Sequence, residues 1–160
     1  MTTEPPRKHR SGCPLSVSLD TLGDRWSLLI VRDLMVRGCR TFREFQQDGD
    51  GIASNILSNR LHRLEATGIL TTEPAERDAR STHYRLTPKG IALAPVLLEI
   101  FIWAGHHEET GAPGNFVEHL VKNREAVLAE TYRRWEKRDH RPLIPSFSPL
   151  ARREKGKRPR

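Results

Sequence analysis

Residues 51–70 read Gly-Ile-Ala-Ser-Asn-Ile-Leu-Ser-Asn-Arg-Leu-His-Arg-Leu-Glu-Ala-Thr-Gly-Ile-Leu, and they restrict the fold of the chain more than any other stretch. Stepping about 100° per residue from Ser54 gathers Ile56, Leu57, Leu61 and Leu64 into one arc that has to face a core. Asn55, Ser58, Asn59 and His62 fall on the opposite side, and that face carries no acid. Amide, hydroxyl and imidazole groups suit base edges in a major groove, whereas an ordinary solvated helix more often shows Glu and Lys there. Ser54 opens the face, and Arg63 at its border is placed for a phosphate or a guanine. A surface helix with a polar face remains the alternative reading of this segment by itself. Gly68 has the position of a left-handed residue just past a helix end, and Ile69-Leu70 starts an extended segment.

The surrounding chain supplies the partners such a helix needs. Pro14 fits a first helical turn because its missing N–H would be unsatisfied there anyway, so Cys13 is the expected cap of a helix over 14–22 that Gly23 breaks. A second helix is expected over about 24–36, with Trp26, Leu29, Ile30 and Leu34 inward, ending at Arg37-Gly38. Thr41-Phe42-Arg43-Glu44 has the capping-box pattern, and a short helix burying Phe42 and Phe45 should follow it. Across the loop Asp48-Gly49-Asp50-Gly51 it meets the helix described above, which makes a helix-turn-helix.

Residues 69–73 and 82–86 read as two short strands joined by residues 74–81, a β-ribbon or wing. Its tip would bring Arg77, Arg80 and His83 against a flanking phosphate backbone or a minor groove; a solvated hairpin loop of mixed charge fits the loop equally well. Thr87-Pro88 restarts a helix that is apolar nearly all round from Ile91 to Ala104, with Pro95 either kinking it or marking its true start. One core covers one side of such a helix, so the other side calls for a partner, most simply a second copy of the chain. After Gly111-Ala112-Pro113-Gly114, a further amphipathic helix is expected from Asn115 to about Lys137.

The net charge of +7 sits in the ends: residues 13–139 hold 17 basic and 18 acidic groups, while 141–160 hold seven Lys or Arg against one Glu. Basic ends attach to phosphates without reading sequence, so this charge says little about the folded part. The expected organisation is a flexible basic arm over 1–12, a winged domain over 13–110, an additional amphipathic helix over 115–138 and a basic disordered tail over 139–160. No apolar run approaches the roughly 18 residues of a spanning helix, and a soluble, cytoplasmic protein without membrane contact is expected. Two cysteines, Cys13 and Cys39, are too few for a zinc site or a disulfide framework. His106, His107, Glu108 and Glu109 are adjacent on a helix and do not converge, so no metal and no cofactor is expected. Cys13 is the best candidate nucleophile, but no phosphate loop, paired carboxylates or HExxH-type pattern accompanies it, and an enzyme is not expected.

Several motifs in order resemble those of the HxlR-type winged helix-turn-helix transcriptional regulators of bacteria. They are Cys13-Pro14, Gly23-Asp24-Arg25-Trp26 through Leu34, Arg40-Thr41-Phe42-Arg43-Glu44-Phe45, Gly51-Ile52 through Gly68-Ile69, and Tyr84-Arg85-Leu86-Thr87-Pro88-Lys89-Gly90 with Trp103 downstream. The resemblance covers residues 13–104 and implies a mainly α fold with a small β-wing, flanked by dimerisation helices over 14–22 and 91–104. It implies a homodimer that binds double-stranded DNA at a palindromic operator, one recognition helix per half-site. A winged-helix module used for protein or RNA contacts is the alternative. Some relatives sense oxidants or electrophiles through a cysteine at the Cys-Pro position, which makes Cys13 a candidate redox sensor and an oxidant or small molecule a candidate effector; a small residue packed at a helix start is the plainer reading. The chain departs from the family at Cys39, where a polar residue or proline is expected, and over 115–137, which extends past the usual end and should enlarge the dimer contact.

Overall fold

The computed structural model describes residues 11–48, 50–75 and 81–143. Helix α1 (Pro14–Leu22) leads through Gly23 into α2 (Ser27–Arg32), which passes into a π-helical turn, Asp33–Arg37. Helices α3 (Phe42–Asp48) and α4 (Ser54–Ala66) form the helix-turn-helix, and strands β1 (Leu70–Pro74) and β2 (Thr82–Leu86) form the wing. Helices α5 (Pro88–Ile91), α6 (Ala94–His107), α7 (Gly114–Lys122) and α8 (Arg124–Lys137) complete the described chain. It is a mainly α, winged helix-turn-helix fold.

Local chemistry accounts for most of the element ends. Thr41 Oγ1 accepts the Glu44 N–H at 3.2 Å while Glu44 Oε2 accepts the Thr41 N–H at 2.8 Å, the reciprocal capping box that starts α3. The same Glu44 oxygen takes the Arg40 N–H at 2.7 Å. Helix α4 ends in a Schellman turn, with Gly68 at φ 72°, the Gly68 N–H on the Glu65 carbonyl and the Ile69 N–H on the Leu64 carbonyl, both at 2.9 Å. Thr87 caps α5 by accepting the Gly90 N–H at 3.1 Å. A Cβ on Gly90 would stand 2.0 Å from the Ile69 carbonyl oxygen, so only glycine allows α5 to lie against the start of the wing.

The core gathers Ile30 and Val31 of α2, Phe45 of α3, Leu57, Leu61 and Leu64 of α4, Ile69, Leu70 and Leu86 around the wing, and Ile91 and Leu97 beyond it. The strands pair antiparallel with Leu70 opposite Leu86 and Thr72 opposite Tyr84. The Tyr84 N–H also bonds the Arg40 carbonyl at 2.7 Å, and the Tyr84 ring meets Phe45 edge-on at 5.9 Å, which ties the wing root to the start of α3.

Three expectations change and one open choice is decided. The helix expected over 24–36 is α2 plus the π turn, because Asp24 Oδ1 takes the N–H groups of Trp26 and Ser27 at 2.8 and 3.0 Å and delays the first helical turn to Ser27. Of the two readings of Pro95, the second holds: the apolar helix over 91–104 has its true start at Ala94, with Pro95 in its first turn, after a break at Ala92 and Leu93. Its stretch Pro88–His107 is long and apolar enough by composition to cross a bilayer, mean hydropathy 1.4, contrary to the reading that no run came close. The final helix over 115–137 is two helices broken at Asn123, whose side chain bonds the His119 carbonyl at 3.1 Å and whose φ of −116° leaves the helical range.

The chain past α8 also differs from an unstructured end as far as Leu143, whose N–H bonds the Val36 carbonyl at 2.7 Å. Gly38 makes that approach possible: at φ 78°, a Cβ there would lie 1.9 Å from the His140 carbonyl oxygen. Arg77, Arg80, the arm up to Arg10 and the basic run past Leu143 lie outside the described residues.

Candidate nucleic-acid interface

Helix α4 is seated from beneath and free above. Leu57, Leu61 and Leu64 are 0%, 3% and 0% exposed, and Ile56 is partly buried against the same core. Ser54, Asn55, Ser58, Asn59 and His62 are all exposed and lie together on the outer face, as their spacing predicts. Two of them are already steadied from within the protein. Gln46 of α3 donates Nε2 to Ser54 Oγ at 2.6 Å, and Arg60 donates Nη1 to Asn59 Oδ1 at 3.0 Å. A side chain held in place before it meets a ligand loses less entropy on binding.

Arg63 behaves differently from its expected role at the edge of this face. Its guanidinium is half-buried and donates Nη2 to the backbone carbonyl of Asp20, near the end of α1, so it anchors α4 to α1 instead of standing free for a phosphate or a guanine. The 100° wheel placed Arg63 at the border, and a border residue turns toward whichever acceptor the tertiary fold offers. His83 is likewise half-buried in β2 opposite Glu73, with its Nδ1 enclosed, and so sits below the wing tip.

Asp24 and Arg60 are the pair seating α4 that local sequence reading overlooks. Arg60 Nε lies 3.0 Å from Asp24 Oδ1, joining the middle of α4 to the α1–α2 junction. Asp24 Oδ2 also takes the Ser27 hydroxyl at 2.5 Å. Burial pushes the Asp24 carboxyl up, but the Ser27 hydroxyl, the N–H groups of Trp26 and Ser27 and the Arg60 charge outweigh it and hold it below its ordinary 3.8. A single carboxylate therefore caps α2 and fixes α4. The available signal was Asp24 standing three residues before a buried serine, the pattern of a helix cap.

A second acid, Asp33, lies in the π turn and is 3% exposed. Burial pushes its carboxyl up, against the pull of Arg32 at 2.7 Å and Arg37 at 3.3 Å. Arg32 reaches on to Asp50 at 2.9 Å, just before α4 begins, so the entry to that helix is also tethered to α2.

Cys13 is exposed at the start of α1, and the backbone N–H groups of Ser16 and Leu15 hold its thiol below the ordinary value. Cys39 is 2% exposed within the core. Helices α1 and α6 leave large apolar side chains in solvent: Leu15 (68%), Leu19 (55%), Val96 (45%), Ile100 (43%) and Trp103 (57%).

With this geometry in hand, comparison with known proteins identifies the class. Residues 21–111 match the HxlR-like helix-turn-helix family, and the chain belongs to it. Among relatives, it is 37% identical over 93 residues to the HTH-type transcriptional regulator YvaP of Bacillus subtilis (strain 168), covering 58% of this chain and 85% of that one. It is 33% identical over 100 residues to the HTH-type transcriptional regulator YodB of the same organism, covering 62% and 88%. Among solved structures, PA1607, described as a candidate transcription factor, superposes with a TM-score of 0.58 at 42% identity, covering 63% of this chain and 69% of that one. The oxidised form of the redox regulator HypR superposes with a TM-score of 0.53 at 29% identity, covering 61% and 100%. The chain is thus a DNA-binding transcriptional regulator and not an enzyme.

The Asp24 pair makes a prediction about acid stability. Asp24→Ala should lower stability at neutral pH by about 1–3 kcal/mol, the scale of a lost cap and a charge-assisted bond. Because the folded carboxyl is held below 3.8, its contribution is fully present above that value and lost as pH falls through the lower folded value. Urea titrations across the acid range should therefore show parent and variant converging as pH drops; a constant gap would contradict the assignment.

Proposed function

We propose that the chain reads a two-fold-related operator in double-stranded DNA as a homodimer, with α4 of each protomer in the major groove. The observation that carries this reading is the acid-free outer face of Ser54, Asn55, Ser58, Asn59 and His62 on a helix whose other side is locked by three buried leucines. In this reading Arg63 belongs to the seat of the helix, through the Asp20 carbonyl, and not to the reading face. Arg77 and Arg80 between the two strands, together with the basic run from Arg152 to Arg160, supply phosphate attraction that positions without specifying. A DNA-binding regulator of this kind works in the cytoplasm.

The exposed side chains of α1 and α6 are assigned to the dimer seam, since five large apolar groups on these two helices are costly to leave in water. That seam would also absorb the apolar surface that makes Pro88–His107 resemble a spanning segment.

Cys13 is proposed as an oxidant or electrophile sensor. It is exposed, its thiolate is favoured by the first N–H groups of α1, and the other end of that helix holds Arg63 of α4. Modification that shifts α1 would therefore move the seat of the recognition helix. The redox regulator HypR, similar to this chain over all of its own length, gives the proposal its context. The buried Cys39 takes no part in it.

Three outcomes are expected. Asn59→Ala should keep the fold and lose about 1–3 kcal/mol of discrimination between a duplex selected by the parent protein and a random one. Indistinguishable discrimination by parent and variant would mean that the face serves protein or RNA contacts instead. Ile100→Asp should turn a dimer at micromolar concentration into a monomer in sedimentation, because it buries an unpaired charge in the seam; a monomeric parent would refute the seam. Treatment with a quinone or diamide should weaken duplex binding by the parent and leave Cys13→Ser unaffected, whereas equal insensitivity would exclude Cys13.

A further inference from the structure

The last turn of α8 grips both strands of the wing. On β2, Trp135 donates Nε1–H to the Leu86 carbonyl at 2.8 Å, and Arg85 donates Nη2 to the Trp135 carbonyl at 3.0 Å with its guanidinium 5.2 Å from the centre of the Trp135 ring. On β1, Arg138 donates Nη1 to both carboxylate oxygens of Glu73 at 2.8 and 3.1 Å, and Arg40 reaches the same carboxylate at 3.3 Å. Arg85 pairs with Thr71 and Glu73 with His83, so Glu73 and Arg85 lie diagonally on one face of the ribbon, two residues apart in register, and the contacts run from its root at Leu86 toward its tip.

The backbone beneath these contacts is itself unusual. Arg138 sits at φ 54°, a left-handed cap position that glycine fills at lower cost, and it is the one non-glycine residue with positive φ among the described residues. An arginine there places its side chain at the cost of local strain. The following residues are locked in turn: Asp139 N–H returns to the Arg134 carbonyl at 2.9 Å, and Arg134 Nη1 holds the Arg141 carbonyl at 2.9 Å. Trp135, Arg138 and the residues that lock them lie past residue 111, where the family match ends, while the wing residues they hold lie within it.

A two-stranded ribbon is marginal by itself and takes its orientation from what packs on its root. We propose that α8 is a brace for the wing, with Trp135 and Arg138 as positioning residues that set the angle at which the wing meets DNA without touching DNA themselves. The link to DNA rests on the reading under Proposed function; the brace does not. The last turn of α8 is thereby committed to its own protomer.

The test uses hydrogen exchange and duplex binding on the full-length chain. Arg138→Gly keeps the left-handed turn and removes the grip on Glu73, and Trp135→Phe keeps a ring over Arg85 and removes the bond to Leu86. Each should speed exchange of the β1 and β2 amides by roughly tenfold, the scale of one lost hydrogen bond to a charged or buried group, while α4 amides stay as in the parent. Trypsin cleavage after Arg77 or Arg80 should accelerate in parallel. Unchanged strand exchange, or a rise of the same factor in α4, would overturn the brace. Affinity for a duplex selected by the parent should fall in both variants, and loosened strands with full affinity would overturn the link to binding. A parent that binds no duplex would sink the DNA reading itself, and strand exchange would still decide the brace.

Discussion

Complete burial of Leu57, Leu61 and Leu64 governs the arrangement of the rest of the chain. At helical spacing, three leucines fix not only that α4 packs but which way it faces, since rotating it by one residue would expose part of the stripe and bury an amide or imidazole. Polar ties then limit sliding and tilt: Arg60 to Asp24, Arg63 to the Asp20 carbonyl, Gln46 to Ser54 and Glu65 to Thr72 of β1. Hydrophobic burial sets the face and directional bonds set the register. A helix held in both ways can offer the same outer side chains to a ligand each time.

Elements governed by neighbours in sequence were legible before the structure. The capping box at Thr41, the Schellman turn at Gly68 and the Thr87 cap depend on interactions spanning five residues or fewer. The same holds for the outer face of α4, where exposure follows from the leucine period. What escaped reading depends on partners far along the chain. Nothing near Arg63 announces Asp20, 43 residues away, and nothing near Arg138 announces Glu73, 65 residues away. The break at Asn123 had a local signal, an amide side chain amid helix formers, but the amphipathic stripe continues through it and hides it. The π turn at Asp33–Arg37 had none that periodicity reveals.

Charge in this protein works locally. Residues 13–139 carry almost no net charge, and several ionic contacts act as joints: Asp24 between α2 and α4, Asp33 and Arg32 between the π turn and the entry to α4, Glu73 between the wing and α8. Three joints converge on the two elements that would meet DNA. Such contacts fix geometry more than they stabilise, because desolvation offsets much of their attraction. The apolar counterpart is the α1 and α6 surface, whose exposed Leu15, Ile100 and Trp103 lie on helices connected to α4 through Asp20 and through the core at Leu97. A change at that surface therefore has a short path to the recognition helix.

The measurement that bears most directly on this account is selection of duplexes from a random-sequence pool by the full-length protein, followed by sequencing of the enriched fraction. Two seated α4 helices related by a two-fold axis predict enrichment of two inverted half-sites whose centres lie roughly 10–10.5 base pairs apart, or a multiple of that. A pool that binds through the basic ends alone and stays unenriched in sequence would contradict it.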